Sequence, residues 1–481
     1  MSIPYIVKSW RGGISDEYTR GIVGSFKFGY NLDIHKRRDS LSCNYAMQTI
    51  ATVSDLLRFA VAAKDGSTYA FGAAGSVYAI AGDSADPVTT FVYNDENGAI
   101  KGGAEWQESS GANYLYWATA TSVARAVLNG SPDTPWAAGV ATQDYKVTLD
   151  SADWHPMKNA SGSLMIGNGN YLAEIAYDGS FDPAALNIRP GNLIKCLEER
   201  DDYVIIGSER KDKSEEGHIW SWIVTEDSWL QKKKIPVRGV NALIDTELLL
   251  MQGGTFGELF YSDFANTSPL NSIADGGEAN PGGATIYNDL ATLGIYGTTS
   301  NQNPGIYSYG RRMRNRPFAL NLEYRLAASN AGSTVTEIGA VWTAHGSLFA
   351  SWKVVDGSTI TYGIDMVSST TRASARYEGL EFNGGSPQLK KTFQTVKLEM
   401  EPLPSSTSLS AIYKSNRGSW RYAALASGAT TYSTAESTEC EFIINDNAKV
   451  IELGVELTPS GSSTPEVTAI VANIAESSRD H

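Results

Sequence analysis

The chain has too few cysteines to be held together by disulfide bonds or zinc. Its 481 residues include three, Cys43, Cys196 and Cys440. They lie too far apart for the short ligand spacings of a zinc site, and an odd number cannot form a complete disulfide framework. We therefore predict that all three are small buried apolar residues, and we expect no bound metal or cofactor.

Long apolar stretches are also missing. Nowhere does an uninterrupted run reach the roughly 18 apolar residues that a membrane-spanning helix needs. The first residues, MSIPYI, lack the basic region and long apolar core of a secretory signal. We therefore expect no membrane insertion, and synthesis in the cytoplasm of a host cell.

Positive charge is in short supply. The chain has 39 lysines and arginines against 53 acidic residues, which gives a formal net charge of -14. Nucleic-acid clamps need a basic surface, so this balance argues against a DNA-binding role. An acidic surface instead suits solubility, or a wall past which DNA slides with only transient contact.

Motifs of catalysis are absent from the sequence. It contains no Gly-x-Ser-x-Gly elbow and no Gly-x-x-x-x-Gly-Lys phosphate loop, and its 5 histidines are scattered. Carboxylate pairs such as Asp201-Asp202 lie in turns, where solvated side chains are the usual finding. His218 lies inside an apparent strand and is expected to be a hydrogen-bonded structural residue. We therefore predict that the protein is not an enzyme.

What the chain does have is glycine and aromatic residues in a repeated order. A short apolar run, a glycine-bearing turn and a second, aromatic-rich run recur seven times, and the chain contains 46 Gly, 24 Tyr and 11 Trp. The copies are marked by Phe59, Leu115, Met165, Ile205, Leu249, Gly294 and Val341. Successive markers are 56, 50, 40, 44, 45 and 47 residues apart, close to the roughly 40 to 50 residues of a four-stranded propeller blade.

The apolar run of each copy is hydrophobic on both faces, which is typical of a strand covered by sheets on either side. One such sheet cannot hide that surface alone, whereas a ring of sheets buries it and leaves only short edges. We therefore predict an all-β chain with little helix and a β-propeller of about seven blades, uncertain by one because of the wide first step. The alternative is a large irregular β-sandwich.

Two changes in composition divide the chain. Residues 1–50 are too polar for a blade core and are interpreted as an N-terminal arm, which can also supply the strand that closes the propeller at 51–370. From residue 371 the strands become longer and alternate strictly: Val396, Leu398 and Met400 face one side while Lys397 and Glu399 face the other. This pattern predicts a C-terminal antiparallel β-sandwich over 371–481.

Several segments resemble structural propeller proteins of tailed bacteriophages. They are residues 10–13 (WRGG), 24–26 (GSF), 31–34 (NLDI), 391–396 (KTFQTV) and 408–413 (SLSAIY), together with the repeated array. In size and layout the chain looks like the tail nozzle or DNA-stabilisation proteins of short-tailed phages, which carry a propeller and a β-sandwich. Related propeller modules occur in the tail tips of long-tailed phages.

The resemblance implies a structural protein of the virion tail that assembles in multiple copies with itself and with other tail proteins. The residues offer one basic cluster as a candidate partner contact, Arg311, Arg312, Arg314 and Arg316, because guanidinium groups pair with carboxylates and phosphates. Such a cluster is also consistent with a solvated loop.

Two other functions are compatible with the sequence. A host-adhesion module would recognise surface glycans through aromatic side chains that stack on sugar rings, and the candidates are Trp220, Trp222 and Trp229. Trp220 and Trp222 share one face of a strand, so they either pack in the core or form an exposed surface on which a sugar can stack. The second alternative is a carbohydrate-active propeller enzyme.

Overall fold

The computed structural model describes residues 3–17, 22–36, 38–81, 87–128, 136–273, 276–297, 303–383 and 388–476. The chain divides into two compact units. The large unit contains Gln48–Gly305 and Leu326–Val367, and the small unit contains Met1–Met47, Ile306–Arg325 and Ser368–His481.

The first half of the chain is built from short strands. They are β1 (Ile3–Val7), β2 (Gly13–Ile14), β3 (Ser25–Phe26), β4 (Phe28–Tyr30), β5 (Leu41–Ser42), β6 (Tyr45–Val53), β7 (Leu57–Ala62), β8 (Thr68–Gly72), β9 (Ser76–Ala81), β10 (Val88–Asn94), β11 (Gly102–Gln107), β12 (Asn113–Ala118), β13 (Val123–Val127), β14 (Ala141–Lys146), β15 (Met157–Ala160), β16 (Ser163–Asn168), β17 (Tyr171–Ile175), β18 (Phe181–Asn187), β19 (Asn192–Arg200), β20 (Tyr203–Arg210), β21 (Gly217–Trp222) and β22 (Gln231–Ile235).

The second half continues this pattern and then changes to longer strands. They are β23 (Val240–Asp245), β24 (Leu249–Gly253), β25 (Glu258–Ser262), β26 (Thr267–Ser272), β27 (Glu278–Tyr287), β28 (Leu290–Tyr296), β29 (Gly305–Gly310), β30 (Ala319–Tyr324), β31 (Val335–Ala344), β32 (Ser347–Asp356), β33 (Thr359–Arg372), β34 (Ala375–Glu378), β35 (Lys391–Met400), β36 (Ser408–Ser415), β37 (Arg421–Tyr422), β38 (Glu439–Ala448), β39 (Ile451–Thr458) and β40 (Glu466–Glu476). Within the described residues the one α-helix is α1 (Ala327–Asn330). The predictions of an all-β chain and of scarce helix are confirmed.

The large unit repeats one arrangement, in which four consecutive strands pair antiparallel in sequence order. The sheets of this kind are β7 to β10, β11 to β14, β15 to β18, β19 to β22 and β23 to β26. β27 and β28 pair in the same way. Short connections between neighbouring strands make this meander the simplest sheet for such a sequence to form.

The first strands of these sheets contact one another in a closed cycle. β7 contacts β11, β11 contacts β15, β15 contacts β19, β19 contacts β23, β23 contacts β27, β27 contacts β31, and β31 returns to β7. Glycines permit this close approach: a Cβ at Gly102, Gly282 or Gly339 would collide with a backbone carbonyl of the neighbouring segment. The large unit is therefore a β-propeller, in which radial sheets surround an axis.

Each sheet is covered on both faces by its neighbours. On β20, Val204 and Ile206 pack with Met165 and Leu172 of the preceding sheet. The intervening Ile205 packs in the opposite direction, against Leu243, Met251 and Phe260 of the following sheet. This two-sided burial explains why the strand is apolar at consecutive positions rather than at alternate ones.

An N-terminal strand completes the last sheet of the ring. That sheet has the order β31-β32-β33-β6, so β6 lies beside a strand more than 300 positions later in the chain. The buried carboxylate of Asp365 on β33 accepts hydrogen bonds from Thr49 Oγ1 at 2.8 Å, Trp352 Nε1 at 2.7 Å and the backbone N–H of Ala327 at 2.6 Å. One side chain therefore ties together the two ends of the ring.

The small unit draws strands from all three of its chain segments. One sheet has the order β1-β40-β35-β38, with β5 also pairing to β40. In the other sheet β29 pairs with β30, and the order continues as β30-β4-β34-β39-β36-β37. Alternate residues of β35 are buried, among them Val396, Leu398 and Met400, as the sequence pattern predicts.

The structure groups two segments differently from the sequence analysis. Residues 1–47 and Ile306–Arg325 belong to the same compact unit as Ser368–His481. The physical reason is backbone pairing: β4 lies between β30, which it meets in parallel, and β34, which it meets antiparallel. Composition and repeat spacing alone predict that the first segment is an arm and that the second is part of the repeated array.

The irregular repeat spacing also has a structural reason. The markers Phe59 and Val341 lie on the first strands β7 and β31, whereas Leu115, Met165 and Ile205 lie on second strands. The first interval of 56 residues therefore runs from the first strand of one sheet to the second strand of the next. Equivalent second strands β8 and β12 begin at Thr68 and Asn113, only 45 residues apart.

Replacement of Asp365 tests the importance of ring closure. The change Asp365→Ala removes the acceptor of three hydrogen bonds. The indole N–H of Trp352 is buried, and a buried group left without a partner costs about 1–3 kcal/mol. We expect a loss of about 2 kcal/mol of unfolding free energy, measured by denaturant titration. The control Asp356→Ala changes an exposed carboxylate at the end of β32 and is expected to alter stability by less than about 0.5 kcal/mol. Equal effects of the two variants would contradict this account.

His218 makes stability depend on pH. Its ring is buried, with Nε2 3.0 Å from Glu216 Oε1. Burial, reinforced by the charge of Lys232, lowers the pKa of His218 to about 4. In the unfolded chain the pKa is about 6.5, so the unfolded state takes up the proton first and stability falls between about pH 6.5 and about 4.

Denaturant titrations at pH 7 and pH 5 check this effect. We expect the unmodified protein to lose about 2 kcal/mol more over this interval than His218→Gln, which has no imidazole to protonate. The shared pH dependence of His155, whose pKa is also lowered by burial, cancels in the comparison. Parallel pH profiles for the two proteins would rule out a contribution from His218.

Candidate interaction sites

The basic cluster that the sequence predicts as a partner contact lies in the connection between β29 and β30. Arg311 is packed on the ring of Phe318, with its guanidinium carbon 4.6 Å from the ring centre. Its Nη1 also donates a hydrogen bond to the carbonyl oxygen of Arg314 at 3.0 Å. These two contacts of Arg311 stabilise the conformation of the connection.

Arg312 is directed at a buried carboxylate. Its Nη2 lies 3.9 Å from Glu323 Oε1, and Glu323 is only 2% exposed. The same carboxylate accepts hydrogen bonds from Asn44 Nδ2 at 2.8 Å, Asn321 Nδ2 at 2.8 Å and Ser308 Oγ at 2.9 Å. A buried charge needs both a counter-charge and hydrogen bonds. Arg312 therefore stabilises the interior of the small unit by supplying the counter-charge of Glu323.

Arg314 differs from these two residues because it is exposed, while Arg316 is half-buried. The structure therefore brings the four arginines together in one connection but gives them unlike environments. Arg314 is the member of the cluster whose guanidinium is most available to a partner. No sequence pattern indicates this division, because Glu323 is a lone carboxylate within a strand and its role depends on the fold.

The tryptophans considered as a sugar platform lie in the propeller. Trp220 and Trp222 are fully buried between two sheets, and the indole N–H of Trp220 donates to Ser208 Oγ at 2.9 Å. Trp229 is half-buried and packs edge-on against Trp220, with ring centres 5.1 Å apart. The guanidinium of Arg189 lies over the Trp229 ring at 5.0 Å. Burial thus removes the rings of Trp220 and Trp222 from contact with a sugar.

A polar pocket of about 210 Å³ lies beside the first strands β19 and β27. Lys195 Nζ donates to Asn241 Oδ1 at 2.7 Å and lies 3.8 Å from Glu209 Oε2, and Lys213 Nζ lies 2.7 Å from Glu209 Oε1. Burial raises the pKa of Glu278 in the same pocket. These charged groups neutralise one another, which is the arrangement of a structural network.

The three cysteines are buried and free, as the sequence analysis predicts. Burial raises the pKa of the Cys43 thiol to about 11 and that of Cys440 to about 12. Among the described residues, no group of three or more His, Cys, Asp and Glu side chains is arranged to hold a metal ion. No helix in the same part of the chain is long and apolar enough to cross a membrane.

Comparison with known proteins finds similarity in structure alone. No family model matches the chain, and no curated protein matches its sequence. The WD40 β-propeller domain of Doa1 is similar with a TM-score of 0.42 and 12% identity, over 66% of this chain and 97% of that one. YCF48, in a structure with a bound D1 peptide, is similar with a TM-score of 0.45 and 10% identity, over 68% of this chain and 95% of that one. At these values neither similarity carries information about function.

Two arginine variants distinguish the internal and exposed parts of the basic cluster. Arg312→Ala removes the counter-charge of buried Glu323, and we expect it to lower the unfolding free energy by about 3 kcal/mol. Arg314→Ala removes an exposed side chain, and we expect a change within about 0.5 kcal/mol. Denaturant titration of both variants provides the measurement, and a tolerant Arg312 would contradict the assigned ion pair.

Proposed function

We propose that this chain is a non-enzymatic structural component of a tailed-bacteriophage particle. It is placed in the tail and assembles in multiple copies through contacts with itself and with other tail proteins. The observation that carries the proposal is the combination of a closed β-ring with an all-β unit made from three separated chain segments. This combination accompanies the sequence resemblance to phage tail propellers and matches the layout that the resemblance implies.

For the large unit we propose seven blades. The support is the cycle of first strands β7, β11, β15, β19, β23, β27 and β31, each of which contacts the next. Each of these strands packs between neighbouring sheets and belongs to the core. The loops between strands lie outside that core, so their sequences can vary without loss of stability. A rigid body with variable loops suits a subunit that must fit several different neighbours.

For the small unit we propose a β-sandwich in which the sheet containing β35 and β38 faces the sheet containing β36 and β39. Supporting this arrangement, Ser415 Oγ on β36 donates to Asp446 Oδ2 on β38 at 2.7 Å, which joins strands of different sheets. The buried rows Leu409, Ala411 and Tyr413 on β36, and Phe393, Val396 and Leu398 on β35, supply apolar inner faces.

The interleaving of chain segments also supports a mechanical role. In the small unit, β4 from the N-terminal segment is hydrogen-bonded between β30 and β34, which come from the other two segments. Because of these pairs, β4 cannot leave the sheet without breaking hydrogen bonds to both of the other chain segments. Such resistance is what a tail component needs while DNA passes through the particle.

Particle analysis tests the proposed location. We expect the chain to be present in several copies in purified phage particles, counted by quantitative mass spectrometry. Antibodies raised against it are expected to label the tail in electron micrographs. Recovery of the chain from the host lysate but not from purified particles would contradict the proposal, as would labelling of the head alone.

Arg314 provides a test of assembly that is separate from folding. Because the protein carries a net charge of -14, an exposed arginine is a natural contact for an acidic neighbour. We expect Arg314→Glu to reduce incorporation into particles at least about tenfold, which corresponds to roughly 1.4 kcal/mol per contact. The matched control is Lys449→Glu, an equal charge change at another exposed position of the small unit. Equal incorporation of the two variants would exclude Arg314 as a contact.

A further inference from the structure

A pocket of about 290 Å³ lies between two neighbouring sheets of the propeller. One wall is the sheet β19 to β22, and the other is the turn between β25 and β26. Its lining includes Ser221, Tyr203, Arg200, Asp263 and Phe264. It belongs to the large unit, whereas the arginine cluster belongs to the small unit.

The pocket exists because a serine interrupts an apolar layer. Ser221 is paired across the sheet with Ile205 and lies two residues beyond Ile219, so the three side chains share one face. Ile205 and Ile219 pack into the core shared with the following sheet. At Ser221 the small side chain ends this packing, and space opens where a large apolar residue would continue it.

The polar groups of the pocket are incompletely satisfied by the protein. Ser221 is 2% exposed, yet its Oγ makes no hydrogen bond to any described group. Arg200 Nη1 lies 3.5 Å from Asp245 Oδ1, and neither atom has a hydrogen-bond partner among the described residues. Buried hydroxyl and guanidinium groups are normally paired, and Ser221 and Arg200 both line the pocket, so a group that enters the pocket can supply the missing partners.

The charges of the pocket restrict what can enter. The cation Arg200 is matched by Asp245, and the exposed carboxylates of Asp201 and Asp263 add negative charge. An anionic ligand would be repelled, whereas hydroxyl groups would find carboxylate acceptors beside the Arg200 and Ser221 donors. Gln231 adds an amide that can both donate and accept.

Aromatic side chains complete the lining. Tyr203 is 38% exposed, and Phe264 is half-buried against the core of the following sheet. Phe264 has a φ of 62°, a left-handed backbone conformation that is unfavourable for a bulky residue and that recurs at ligand-contacting positions. Ring faces beside hydroxyl-binding groups are the combination that recognises a sugar, which has an apolar face and a polar rim.

We propose that this pocket binds a neutral monosaccharide, or one neutral sugar unit at the end of a longer glycan. Tyr203 and Phe264 contact the apolar face of the ring. Ser221 and Arg200 donate to ring or hydroxyl oxygens, and Asp263 accepts from a hydroxyl. The volume accommodates a single pyranose and excludes larger ligands from full burial. The assignment does not depend on the proposed place of the chain in a phage particle.

Saturation-transfer NMR with the intact chain tests the proposal. The probes are glucose, galactose, mannose and N-acetylglucosamine, with N-acetylneuraminic acid as the anionic probe and glucosamine as the cationic one. We expect at least one neutral sugar to bind and the anionic sugar not to bind. Binding of glucosamine alone would show an amine site and overturn the proposal, as would binding of none of the neutral sugars.

Variants then locate the bound sugar. We expect Tyr203→Ala to weaken binding about tenfold by loss of the stacking surface, and Ser221→Val to abolish binding by filling the pocket with an apolar side chain. Should Ser221→Val fail to fold, Tyr203→Ala still decides the outcome, because Tyr203 lies at the surface. The matched control is Tyr177→Ala, which removes a tyrosine that is 55% exposed in the turn between β17 and β18. Equal binding by the Tyr203 and Tyr177 variants would overturn the assignment.

Discussion

Closure of the ring is the constraint on which the large unit depends. Each of its sheets is apolar on both faces, so each needs a neighbour on either side, and a linear stack would leave two apolar faces in water. The cycle from β7 through β31 and back to β7 removes those ends. The last sheet is completed by β6 from the N-terminal side, so the chain cannot form the ring until residues far apart in sequence have met. Asp365 accepts three hydrogen bonds at this junction and joins β6, β32 and the start of α1.

Tight packing between sheets decides which polar groups the interior can hold. Three indole N–H groups donate to buried acceptors: Trp352 to Asp365 at 2.7 Å, Trp117 to Asp95 at 2.6 Å, and Trp220 to Ser208 at 2.9 Å. These contacts explain why a chain with many tryptophans buries several of them rather than displaying them. The hydroxyl of Ser221 differs from these donors, because it lies within an apolar layer without a partner among the described residues, and a pocket opens beside it. A local break in the packing thus distinguishes the proposed ligand site from the rest of the core.

The proposed roles use different parts of the chain. A structural subunit requires rigidity and surfaces for neighbours, and the interleaved small unit and the closed ring supply the rigidity. The sugar site requires only a small cleft between two sheets of the propeller. The ring holds these two sheets in place, but neither of them is the sheet that closes the ring. A tail protein can therefore carry a sugar pocket without change to its framework, because loops and sheet edges vary independently of the core.

The sequence by itself determined the all-β class, the repeated sheets, the burial of the cysteines and the alternation of β35, because these follow from local periodicity and composition. It did not determine which strand of each sheet a marker occupied, since first and second strands are both apolar. Nor did it reveal that Ile306–Arg325 joins the small unit, which depends on the parallel pairing of β30 with β4. Tertiary structure alone decided three further features. They are the different environments of Arg312 and Arg314, the burial of Trp220, and the pocket at Ser221. Each depends on a partner distant in sequence, and no local pattern specifies which distant groups will meet.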